Sequence, residues 1–152
     1  MSDERRDKLK RLMDVRSKQL ESRVTDLSSA RTRQSEVERK LAEAKQRKQD
    51  ALSARKTRGS VPAADWGQAE NWLLGLSEQE SKAKAQNDAA SRAVLQARAE
   101  VARAKREQDK IQLLLDRMVA EEKHAESRAA RKLEDDLLNT QLANKGKGGS
   151  SK

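Results

Sequence analysis

With 152 residues and a net charge of +9, the chain has room for one domain at most. Its 25 Leu, Ile, Val and Phe residues are too few to fill a round core, whereas 87 residues are Ala, Glu, Lys, Leu or Arg, a bias that signals a long helix or coiled coil when it is periodic. The absence of cysteine excludes disulfides, thiolate metal sites and cysteine nucleophiles.

The N-terminus, MSDERRDKLKRL, has no apolar stretch of the kind that opens a signal peptide, and no apolar run approaches 18 residues. A cytoplasmic chain without stable membrane insertion is therefore expected. Residues 4–58 contain no Gly or Pro, which predicts a first helix over that range. One of its seven-residue series reads Met13, Leu20, Leu27, Gln34, Leu41, Lys48, and the other reads Ala30, Val37, Ala44, Ala51. Arg16 and Arg23 interrupt the second series, so Leu9, Leu12 and Val15 are expected to supply the apolar surface near the start.

Gly59, Ser60 and Pro62 punctuate the chain and predict a turn over 59–63. The segment that follows, ADWGQAENWLLGL (64–76), holds both tryptophans. Asp65 or Ser60 is a candidate cap for the next helix. Trp66 falls on the seam and is expected in the core. Trp72 falls beside it, either exposed as a contact residue with Leu76 or packed on Leu52 to close the turn end.

The second helix is predicted over 64–143. One heptad series reads Ala69, Leu76, Ala83, Ala90, Ala97, Ala104, Ile111, Met118, Ala125, all apolar. Its companion passes through Leu73, Glu80, Asn87, Val94, Val101, Gln108, Leu115 and Glu122. A repeat sustained this long implies a left-handed coiled coil. Residues 144–152, NKGKGGSSK, are expected to be a disordered tail.

A turn near 59–63 makes partners of residues whose numbers sum to about 122. Leu27 then meets Val94 and Leu95, Ala51 and Leu52 approach Trp72 and Leu73, and Gln34 falls beside Asn87, as a buried amide pair or as two solvated amides. The predicted architecture is all-α: a single antiparallel two-helix coiled-coil hairpin over 1–143, with the second helix longer. The seam is expected to include Leu20, Leu27, Leu41, Leu73, Val94, Val101, Ile111, Leu115 and Met118. A parallel dimer of two chains lacks this match and needs no turn.

No GxxxxGK[ST] loop is present, and one histidine, His124, cannot build a histidine metal site. Glu121/Glu122 and Asp135/Asp136 are adjacent in sequence and diverge on a helix, so neither is an acid–base pair across a cleft. No enzymatic activity, metal or cofactor is expected. Residues 1–58 carry 18 basic and 10 acidic groups, against 13 and 15 over 59–143. A basic scaffold or a nucleic-acid partner is the alternative this raises. The lack of interleaved aromatics favours an acidic protein partner instead.

Taken together, these features resemble the central stalk proteins of type III secretion systems, the FliJ, YscO and SctO family. Two stretches carry the resemblance. One is ADWGQAENWLLGL; the other is LLLDRMVAEEKHAESRAARKLEDDLL (113–138), with Arg117, Glu126, Arg128, Lys132, Asp135, Asp136 and Leu137 in the family's closing pattern. The resemblance implies a non-enzymatic stalk whose paired ends enter a hexameric secretion ATPase and stimulate it, and whose turn end faces the export gate at the inner membrane. Export chaperones are further implied partners. It places ATPase contacts on Arg5, Arg6, Arg11, Arg117, Arg128, Lys132 and Asp135, and gate contacts on Trp72, Leu76, Gln79 and Ala83. Gln79 departs from the family pattern, as does the absence of Phe and Tyr. LEDDLLNTQL (133–142) is closer to the injectisome ending than to the flagellar one.

Overall fold

The computed structural model describes residues 2–57 and 63–149, all of them helical. Helix α1 spans Ser2–Thr57 and α2 spans Ala63–Gly149. The fold is an all-α antiparallel hairpin with the second helix the longer, 87 residues against 56. The expected turn lies, apart from Ala63, outside the described residues, as do Ser60 and the turn residues Gly59 and Pro62.

Local physics favours both helices. Ala, Leu, Arg, Lys, Gln and Glu are the strongest helix formers. Asp3 and Glu4 sit in the first turn of α1 and Arg55 and Lys56 in its last, each complementing the helix dipole. Arg39–Glu43 (2.9 Å) and Gln46–Asp50 (2.8 Å) add i,i+4 support of about 0.2–0.5 kcal/mol per pair. Asp65 is inside the first turn of α2, not at its cap, because that helix begins at Ala63. Its carboxylate still favours the helix N-terminus. At the other end, α2 is helical to Gly149, six residues past the end expected at 143. Side chains 144–146 are exposed, so packing does not hold that part of the extension.

The chain divides into two compact units. One comprises Ser17–Arg106. Within it the two helix segments run antiparallel, tied by Arg23–Glu100 (4.0 Å), Gln34–Ser91 (3.3 Å), Lys48–Glu80 (3.2 Å) and Arg55–Glu70 (3.3 Å). The numbers of these pairs sum to 123–128, one to six residues beyond the expected 122. That shift moves Gln34 off Asn87: its Nε2 donates to Ser91 Oγ, and the Asn87 carboxamide oxygen is buried without a hydrogen-bond partner. Leu95 likewise turns away from the seam and is exposed.

Inward-facing side chains of this unit follow the heptad on both helices. Val37, Ala44, Leu76, Ala83, Ala90 and Val94 are buried, and Leu20, Leu27, Leu41, Leu73 and Val101 are half-buried. Much of this surface is alanine, and each Leu-to-Ala exchange forgoes about 2 kcal/mol of burial. Gly75 weakens α2 further, since glycine costs about 1 kcal/mol relative to alanine inside a helix. A Cβ built at Gly75 meets nothing within 4 Å. Gly75→Ala is therefore expected to stabilise the hairpin by about 0.5–1 kcal/mol, read as a higher midpoint in thermal unfolding followed by circular dichroism.

The other unit comprises Met1–Arg16 and Glu107–Lys152. Ile111 is its buried residue, flanked by half-buried Leu9, Met13, Leu115 and Met118. Leu12 and Val15 are exposed, contrary to expectation, and half-buried Arg16 holds the seam position between Met13 and Leu20. An arginine can do this by laying its aliphatic stem along the apolar groove, and here the Arg16 Nε is buried as well. The Arg6–Glu122 ion pair (2.9 Å) joins the two helices here. From Lys123 to Gly146 every side chain of α2 is exposed.

Candidate functional site

Among the described residues no group of His, Cys, Asp or Glu is arranged to hold a metal, and no helix is long and apolar enough to cross a membrane. What the molecule offers is exposed helix surface, in two places.

The first lies in the unit Ser17–Arg106, where both tryptophans are exposed: Trp72 at 62% and Trp66 at 52%. Trp66 was expected in the core. By the observed register it stands level with Thr57, the end of the described part of α1. The Arg55 guanidinium instead lies over its ring, 5.4 Å from the centroid, a cation–π contact worth about 0.5–1 kcal/mol. Trp72 projects from the flank of the seam. Leu52 and Leu74 are exposed in the same unit. The four residues of the expected gate stripe separate in the structure: Trp72 and Gln79 are exposed, whereas Leu76 (5%) and Ala83 (9%) are buried between the helices.

The second surface lies in the other unit. Arg5 lines a shallow groove with Glu4, Lys8, Met118, Glu121, Glu122 and Ala125. Arg6 is engaged by Glu122, while Arg11, Arg117, Arg128, Lys132 and Asp135 are exposed. At 100° per residue, Arg117, Arg128, Lys132 and Asp135 fall within about 60° of one another around α2. These four residues therefore form one charged stripe, joined by Glu121 and His124. Arg11 lies apart on α1. The resemblance is what singled out these residues; their separations of 11, 4 and 3 positions return them to the same face.

A stripe of charge on an exposed helix and an exposed indole on a paired one are surface features suited to contact with another protein. Family comparison agrees with that character: the match to the family described as flagellar FliJ protein covers residues 5–147. The chain belongs to the FliJ family. It is thus a stalk protein of the flagellar and type III export type, a structural role associated with the export ATPase and gate components in general. No curated protein and no solved structure matched the chain.

Proposed function

We propose that this FliJ-family protein is the non-enzymatic stalk of a type III export apparatus, acting in the cytoplasm at the inner-membrane base. It enters the central hole of a hexameric export ATPase, stimulates hydrolysis, and links the ring to the export gate. The observation that carries this reading is the family match over residues 5–147. The charged stripe Arg117–Arg128–Lys132–Asp135, with Arg5, Arg6 and Arg11, supplies the ATPase contact. Trp72 and Gln79 supply the gate contact, with Leu76 and Ala83 holding the helix that presents them. Exposed surface elsewhere on α2 is available to export chaperones.

The flagellar apparatus is the system favoured by the family's description. An injectisome is the second reading, favoured by LEDDLLNTQL at 133–142. Deletion of the gene separates the two: loss of swimming marks the first, and loss of effector secretion with intact swimming marks the second.

The ATPase reading is tested by hydrolysis rate. Purified export ATPase from the same cell is expected to turn over several-fold faster with the full chain. The pair Arg117→Glu and Arg128→Glu should return the rate to that of ATPase alone. Unchanged hydrolysis with the wild-type chain rejects the reading.

A further inference from the structure

The exposed part of α2 has an apolar face of its own, bordered on one side by Lys132 of the charged stripe. Up to Glu122 the seam advances in alternating steps of three and four. Continued in phase, it would bring Lys132 and Asp136 inward. The apolar residues leave that phase, running Ala125, Ala129, Leu133, Leu137 in steps of four. Such a stutter unwinds the left-handed supercoil, so this face does not prolong the pairing that precedes it. Leu133 is 65% and Leu137 63% exposed, far more than any leucine of the seam.

We infer that this face binds a second copy of the same chain, antiparallel, about a two-fold axis near Leu133. The charges beside it are the reason. The edge toward the charged stripe carries Lys132 on the N-terminal side of Leu133 and Asp136 on its C-terminal side. Antiparallel two-fold pairing apposes an edge with its own reverse. Lys132 of each chain then meets Asp136 of the other. Neither side chain takes part in an ion pair within the chain among the described residues.

The same axis sets Leu133 against its own copy and Leu137 against Ala129, large against small, as interdigitating helices require. Parallel in-register pairing would stack leucine on leucine but would not bring opposite charges of this edge together. The contact is short and lies at the low end of specific interfaces, about 1,000 Å², so the dimer forms at high protein concentration. Pairing covers Lys132, and so competes with any other partner of that residue.

Sedimentation equilibrium of the full chain across a concentration series tests the inference without the ATPase. A monomer–dimer equilibrium is expected. Lys132→Glu or Asp136→Lys alone, each placing like charges in contact twice, should weaken it about tenfold. The double exchange Lys132→Glu with Asp136→Lys should restore it. Because the chain has no cysteine, orientation is read by disulfide trapping. A chain with Ala129→Cys should cross-link to one with Leu137→Cys in preference to itself. A monomer at every concentration, reversals without effect, a double exchange that fails to recover, or preferential self-linking would each overturn it.

Discussion

Replacing Trp72 by alanine is expected to abolish export while leaving helicity and the melting midpoint unchanged. The indole is 62% exposed, so its removal takes little packing from the hairpin, and surface substitutions usually shift stability by less than about 0.5 kcal/mol. At a contact, by contrast, a tryptophan is the residue type that most often dominates binding energy, with losses of about 2–4 kcal/mol on truncation. Such a loss lowers occupancy of a partner by a factor of roughly 30 to 1,000. Leu76→Ala provides the contrasting case. Its side chain is 5% exposed between the helices, so truncation costs about 2–3 kcal/mol of stability before any partner is considered. The two variants should therefore separate: Trp72→Ala folded and inactive, Leu76→Ala measurably less stable. Wild-type export from a Trp72→Ala strain removes Trp72 from the gate contact.

The periodic part of this fold was legible because a seven-residue repeat repeats its own error check. Sixteen positions of α2 from Ala69 to Glu122 fall on the two series, and each is buried or half-buried. Polar members such as Glu80 and Gln108 do not break the pattern, because neighbouring turns hold the helix in phase. The same logic should have kept Arg16 on the seam. A hydropathy count discards arginine, although its stem is apolar enough to lie there, and Leu12 and Val15 were expected inside in its place.

Register was less legible than period. Seams lined with alanine pack almost equally well at several offsets, and the offset depends on the geometry of the turn. Pairs such as Gln34–Ser91 and Lys48–Glu80 show the outcome, but neither is distinguishable in sequence from its neighbours. Trp66 failed for a related reason. Heptad position predicts which way a side chain points, not how much of an indole two slender helices cover, and Trp66 is half exposed. The residues of the charged stripe on α2 came from the resemblance and not from periodicity, although separations of 11, 4 and 3 do return them to one face.

Asn87→Leu is expected to stabilise the hairpin by at least about 3 kcal/mol, the lower end of the sum of two terms with the same sign. The Asn87 carboxamide oxygen is buried without a hydrogen-bond partner, which costs about 1–3 kcal/mol. Burying a leucine in its place adds about 2 kcal/mol. For a chain of this length the combined gain raises the melting midpoint by about 10 °C. By the observed register position 87 opposes residues 36–41, where Val37 is buried and Leu41 half-buried, so the new side chain meets apolar neighbours. Ser91→Ala separates this effect from a general preference for apolar seams. Ser91 Oγ accepts a bond from Gln34, and its loss should cost about 0.5–1.5 kcal/mol. Opposite signs at two positions one turn apart would show that the asparagine is kept at a cost in stability, as a polar residue that disfavours other registers. Guanidinium unfolding followed at the helical signal measures both variants. A midpoint for Asn87→Leu at or below wild type would mean that the buried oxygen is satisfied in solution and that register is set by the Gln34–Ser91 pair alone.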